Sequence, residues 1–189
     1  MEVPGRYRRW LRAFAEPCLR LDGRDRRLTL TARTPAGRPL LAVLARALDA
    51  SGLCTGSGAG DAYAAVLLDV PGEVAEESRT RRPSLVSLLR VVTRALAGPD
   101  DDPWLGLYGA FGYDLGLQLF GLPRVAERAP DQRELALFVP DRLLIGTGPA
   151  DLREVRYRFT DTAAPAGPPP AQATRIAARS ALPGADPVL

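Results

Sequence analysis

Pro83-Ser84-Leu85-Val86-Ser87-Leu88-Leu89-Arg90-Val91-Val92-Thr93-Arg94-Ala95-Leu96-Ala97-Gly98 is the stretch on which the fold class turns. Leu85, Leu88, Leu89, Val92 and Leu96 recur at helical spacing and make one apolar stripe, with Ser87, Arg90 and Arg94 opposite. Ser84 is a good N-cap and Gly98 a good stop, so 83–97 is predicted to be a helix that buries one face. Working outward, the neighbouring segments read mostly as strands. Leu28-Thr29-Leu30-Thr31-Ala32-Arg33 alternates with period two, 62–70 is an apolar run, and Val155, Tyr157 and Phe159 alternate with Glu154, Arg156 and Arg158. Residues 134–139 and 142–145 flank Pro140-Asp141 and read as two strands joined by a turn. A second helix over 38–49 carries Leu40, Leu41, Val43, Leu44, Ala47 and Leu48 and ends near Gly52. One-faced helices among alternating strands give an α+β fold, with the strands mostly antiparallel.

The remaining segments carry weaker signals. Residues 7–14 suit a short helix or an irregular lead-in, with Trp10 and Phe14 anchored in a core. Gly56-Ser57-Gly58-Ala59-Gly60-Asp61 reads as a flexible loop; it lacks the spacing of a dinucleotide fingerprint and the Gly-Lys-Ser/Thr of a P-loop. The charges of 73–82 read as a solvated surface, and Asp100-Asp101-Asp102-Pro103 as a turn rather than a metal site. In 105–120, Gly106, Gly109, Gly112 and Gly116 recur among Leu107, Tyr108, Phe111, Tyr113 and Leu117, a pattern that marks a strand closely approached by another backbone. Beyond Asp161 the chain turns rich in Ala and Pro and poor in large apolar side chains. The expected organisation is one domain over 1–161 and a linker or disordered tail over 162–189.

Composition removes several chemistries. The 189 residues include no His, and all 25 basic residues are Arg, so imidazole acid–base catalysis and lysine Schiff bases are excluded. Cys18 and Cys54 are far apart and belong to no metal-ligand grouping, so they read as ordinary buried thiols. Arg6, Arg8, Arg9, Arg12, Arg20, Arg24, Arg26 and Arg27 crowd the start, but Glu16, Asp22 and Asp25 dilute them. No aromatic platform accompanies them, so no nucleic-acid partner is expected. No apolar run approaches the length of a membrane span and the first residues lack a signal core; no membrane partner and a cytoplasmic location are expected.

Four strings carry a resemblance to a family. Glu2-Val3-Pro4-Gly5-Arg6-Tyr7-Arg8-Arg9-Trp10, Glu77-Ser78-Arg79-Thr80-Arg81-Arg82-Pro83-Ser84-Leu85-Val86-Ser87-Leu88-Leu89-Arg90, Leu105-Gly106-Leu107-Tyr108-Gly109-Ala110-Phe111-Gly112-Tyr113-Asp114-Leu115 and Asp131-Gln132-Arg133-Glu134-Leu135-Ala136-Leu137-Phe138-Val139-Pro140-Asp141 follow one another in the order found in component I of anthranilate synthases fused to a glutamine amidotransferase. The third is the most specific: it resembles the local form of a glycine-rich element of chorismate-using enzymes.

The resemblance implies the amino-terminal part of the component I α/β sandwich. It implies a parent reaction in which chorismate and an amino donor give anthranilate and pyruvate for tryptophan biosynthesis. The implied partners are a chorismate-binding catalytic domain, which holds Mg2+ and the acid–base residues, and a glutamine amidotransferase domain or subunit that supplies ammonia. The resemblance spans Glu2 to about Phe159 and none of that catalytic part, so no catalytic residue, metal ligand or cofactor is assigned to this chain, which is expected to be inactive alone. Arg9 aligns with a basic residue of the family's inhibitory tryptophan pocket. The serine element of that pocket would precede Met1. Aminodeoxyisochorismate and aminodeoxychorismate synthases share the same amino-terminal architecture and are alternative parents. A stand-alone ligand-binding or interaction module is the alternative of another class. A scaffold half separated from its reactive half is further expected to expose sheet edges and an apolar face.

Overall fold

The computed structural model describes residues 11–69, 83–97, 102–120, 122, 129 and 131–161, and the backbone of 176–181. Among these residues ten strands form two sheets, accompanied by three α-helices, an α+β arrangement in which each described strand pairing is antiparallel. The strands are β1 (Leu11–Ala13), β2 (Leu19–Arg24), β3 (Arg27–Ala32), β4 (Cys54–Ala59), β5 (Ala62–Leu67), β6 (Tyr108–Phe111), β7 (Leu135–Val139), β8 (Arg142–Gly146), β9 (Arg153–Tyr157) and β10 (Ile176–Ala181). The helices are α1 (Gly37–Ala50), α2 (Leu85–Leu96) and α3 (Asp114–Phe120). The larger sheet has the order β4-β5-β3-β2-β7-β6, and the smaller β1-β8-β9-β10.

Period two decides which face of the larger sheet is covered. Leu19 and Leu21 of β2, Leu28 and Leu30 of β3, and Leu137 and Val139 of β7 are buried in the apolar cluster that α1 and α2 also fill. Arg20, Asp22, Thr29, Thr31 and Phe138 occupy the alternate positions and remain partly exposed. Helix α1 packs against α2 and against β2, β3, β4 and β5. In α2 the stripe read from the sequence is the buried one: Leu85, Leu88, Leu89, Val92 and Leu96 all lie in the core, each fully buried Leu contributing about 1.5–3 kcal/mol. The helix starts with a reciprocal cap in which Ser84 Oγ accepts from Ser87 N–H at 3.4 Å and Ser84 N–H donates to Ser87 Oγ at 3.2 Å.

Several sequence expectations are revised. Residues 11–13 are neither helical nor irregular; they pair with β8, Leu11 opposite Gly146. The glycine loop expected from Gly56 onward is largely β4, an edge strand paired along its length with β5, and only Gly60 and Asp61 turn. Apart from Cys54 its residues are exposed, so it shows no apolar alternation to read. Residues 134–145 do not form a hairpin: β7 lies between β2 and β6, β8 between β1 and β9, and Pro140-Asp141 carries the chain from one sheet to the other. Within the stretch read as linker or tail, Ile176–Ala181 runs as a strand beside β9. The expected stop at Gly98, the polar stretch 73–82, and Asp100 and Asp101 lie outside the described residues.

The recurrent glycines of 105–120 divide into two kinds. Gly109 has φ +154°, and a Cβ there would stand 2.1 Å from the carbonyl oxygen of Ala136; at Gly112 a Cβ would meet the carbonyl oxygen of Arg133 at 2.8 Å. These two allow β6 and the turn after it to press against β7, with Gly112 N–H donating to the Glu134 carbonyl at 2.7 Å. Gly106 and Gly116 have open space around them. Gly116 lies in α3, where a strand was expected, because the chain turns into a helix at Asp114.

Candidate functional site

The segment 14–17, which joins a strand of the small sheet to one of the large sheet, is the wall between two cavities. One has a volume of about 620 Å3 and is lined further by the start of β8, by Glu154 of β9 and by residues 34–36 at the entrance to α1. The other, about 500 Å3, opens over the exposed face of the larger sheet beside Arg20, Arg33 and Phe138. Phe14 belongs to both, and holds the wall by edge contact with Tyr108 at 5.7 Å and a tilted contact with Phe138 at 6.2 Å between ring centroids. As read from the sequence, Phe14 is an anchor, though it packs at the margin of the core.

The cavities differ in charge. Glu16, Asp141 and Glu154 line the first, against Arg142. Arg142 Nε donates to Glu154 Oε1 at 2.7 Å and Arg156 Nε to Glu154 Oε2 at 2.8 Å. These bonds, that from Arg156 first, hold the Glu154 carboxyl below the usual range. Glu154 bonding to Arg142 raises the guanidinium's pKa further, with Asp141 and Glu16 adding in the same sense. In the second cavity Arg20 Nη2 donates to Asp22 Oδ1 at 2.9 Å while its guanidinium lies 5.8 Å from the Phe138 ring centroid. The Thr34 hydroxyl, at the boundary of both, is buried and has no hydrogen-bond partner among the described residues. Glu16 lines both cavities, Asp141 and Glu154 the first, and Arg20 and Arg33 the second; these charges, with an unsatisfied hydroxyl between them, suit the holding of a small polar molecule.

The same neighbourhood offers no activated nucleophile. The Cys18 thiol is fully buried and donates to the Val139 carbonyl at 3.2 Å. Burial, assisted by Asp141, pushes its pKa up to about 12, so the thiol stays protonated. Cys54 is likewise raised by burial, and both cysteines are free, as their spacing implied. Tyr63 donates to Asp49 Oδ1 at 2.5 Å, and burial and this carboxylate raise its pKa.

No group of three or more potential metal ligands occurs among the described residues. Asp22, Asp61, Asp161 and Glu154 are ion-paired with Arg, and Asp102 accepts from Trp104 N–H at 2.8 Å and Tyr157 Oη–H at 3.2 Å. These carboxylates do not make a cradle for Mg2+. No described helix is long and apolar enough to cross a membrane.

Arg9, the site residue nominated from the sequence, lies outside the described residues. Glu16, Arg33 and Thr34 carry no motif, and Asp141, although it ends the fourth string, is not among the site residues expected from the sequence; these stretches meet only through sheet topology. Glu154 sits at an expected solvent-facing position of β9, yet Arg142 and Arg156 close over it and leave it 7% exposed.

No family model matches the chain. An anthranilate synthase of Azospirillum brasilense is 42% identical over 166 residues, which cover 86% of this chain and 22% of that protein. The chain is thus similar to a portion of an anthranilate synthase and spans about a fifth of the curated relative it matches.

Proposed function

We propose that the chain is the amino-terminal, non-catalytic portion of an anthranilate synthase of the component I type, serving tryptophan biosynthesis in the cytoplasm. The observation that carries this reading is the 42% identity over 166 residues to a portion of an anthranilate synthase. The four ordered strings support the amino-terminal assignment. The lack of His and Lys throughout the chain, and the inert buried thiols, support a scaffold role over a catalytic one. In this reading chorismate, Mg2+ and the acid–base groups belong to a chorismate-binding catalytic part, and a glutamine amidotransferase domain or subunit delivers ammonia to it. Residues of that catalytic part decide between anthranilate and the aminodeoxyisochorismate or aminodeoxychorismate products of the related synthases.

The test is to incubate the purified chain with chorismate, ammonium and Mg2+ and follow anthranilate fluorescence. No product is expected from the chain alone, and product on addition of a catalytic part lacking this region. Turnover by the chain alone would refute the non-catalytic assignment.

The paired cavities favour a second reading, in which the chain also binds a small regulatory molecule; that this is tryptophan, with Arg9 contributing, comes from the family resemblance alone. Calorimetry with tryptophan checks it: saturable heat that falls at least tenfold in affinity in Arg9→Ala is expected, and silence at millimolar tryptophan would remove it.

A further inference from the structure

We propose that the outer edge of β6, together with the apolar side chains of 111–122, is the surface on which the chorismate-binding catalytic part docks, an extended apolar segment of it adding beside β6. The proposal takes its occupant from the reading under Proposed function and rests on it.

Large apolar side chains are concentrated there. Phe111 is 60% exposed, Tyr113 87%, Phe120 59% and Leu122 52%, whereas the other large hydrophobics exposed among the described residues, Leu11 and Leu68, are scattered. Single exposed hydrophobics are ordinary, but four so near in sequence, Phe111 and Tyr113 at the end of β6 and Phe120 and Leu122 at the end of α3, suit a contact surface. Among the described residues β6 is the last strand of its sheet and pairs with β7 alone, so its outer backbone has no strand beside it there. At the opposite end β4 is also an edge, but its exposed residues are Thr55, Gly56, Ser57, Gly58 and Ala59, which water covers without penalty. The two edges are therefore built for different surroundings.

The occupant follows from the remaining length and from the letters of the string. The matched stretch is 22% of the relative, so about four-fifths of that protein lies outside it, and the proposed function places the chorismate-binding part there. Phe111 and Tyr113 fall in the string that most specifically resembles chorismate-using enzymes, yet neither side chain is spent on this chain's own core. Strand addition on a free edge supplies backbone hydrogen bonds, and the aromatic groups beside it supply side-chain selection.

The chain, carrying an affinity tag, is co-expressed with the Azospirillum brasilense enzyme shortened to the residues outside the matched stretch. Recovery of that partner is measured for the wild type, Tyr113→Ala, the double variant Phe111→Asp/Tyr113→Asp, and Ser57→Asp on the other edge. Stoichiometric recovery with wild type and Ser57→Asp is expected. The double variant should lower it at least tenfold and Tyr113→Ala severalfold, with the chain's own thermal transition unchanged in Tyr113→Ala. Recovery of partner by all variants alike would overturn the docking assignment and leave the proposed function standing. Failure of the wild-type chain to recover the partner or restore anthranilate formation would overturn both. A wild-type homodimer that the double variant converts to monomer would make a second copy the occupant and also overturn the proposal.

Discussion

Replacing Gly109 by Ala isolates what the glycine-rich string contributes to the fold. A φ of +154° is strained for any residue with a Cβ, at a cost on the order of 1–3 kcal/mol. The added methyl would stand 2.1 Å from the Ala136 carbonyl oxygen and 2.9 Å from Leu137 Cα, well inside the ~3.3–3.6 Å at which carbon and carbonyl oxygen meet. Both are backbone atoms, so no rotamer change relieves the contact, and β6 must move off β7. Displacement puts at risk the four paired positions, the Tyr108 Oη–H bond to the Trp104 carbonyl at 2.5 Å and the ring contact with Phe14. Because β6 is an edge strand of mostly exposed residues, releasing it limits the loss. About 2–4 kcal/mol is expected from strain plus a few net hydrogen bonds, against ~5–15 kcal/mol for a domain. In urea titrations followed by circular dichroism and Trp fluorescence, the Gly109→Ala midpoint should fall by about 1–2 M. Gly116→Ala, in open space on α3, should be neutral or stabilise by about 0.5–1 kcal/mol, and Gly106→Ala should be neutral. A Gly109→Ala midpoint equal to wild type, or equal losses at all three positions, would refute the close-approach reasoning.

Two further outcomes follow from local chemistry. Ser84→Ala removes an acceptor from the first turn of α2 and should cost about 1 kcal/mol, while Ser84→Asp, read by the same urea titration, should recover most of it. Cys18 sets an alkaline limit. Its folded pKa of about 12 lies above the ordinary value of 9.0, so its contribution is intact below pH 9 and is lost as pH rises toward 12. The slope is about 1.4 kcal/mol per pH unit over that window. Cys18→Ala should flatten the pH dependence above 9, and an unchanged slope would show that the thiol is not held neutral. Tyr63, also raised, adds loss in the same direction, so the comparison is best made in Tyr63→Phe.

What was legible in the sequence was local and periodic. Leu85 to Leu96 and Leu28 to Ala32 announce themselves because one side of each element is buried, and the burial repeats at 3.6 or 2 residues. Strand β4 was not legible, since an exposed edge of Thr, Gly, Ser and Ala has no covered side to imprint alternation. Strand β2 carries Leu19 and Leu21 between Arg20 and Asp22, a short signal ended by Gly23, which packs against the Leu135 side chain. The sheet membership of β7 and β8 was hidden for another reason: it is decided by β2 and β1, more than a hundred residues away, and nothing in Pro140-Asp141 records those partners. The cavity residues were hidden in the same way. Glu16, Thr34, Asp141 and Glu154 become neighbours only once both sheets have assembled, whereas the apolar string 105–115 could be singled out from its letters alone.

The two-residue passage from β7 to β8 ties an interior strand of one sheet to an interior strand of the other, and Tyr157 N–H is bonded to the Asp141 carbonyl at 2.8 Å within that passage. Neither layer can peel away without tearing the middle of its neighbour. Their amide protons should therefore exchange through one shared opening, and a force pulling on either layer should meet the resistance of both.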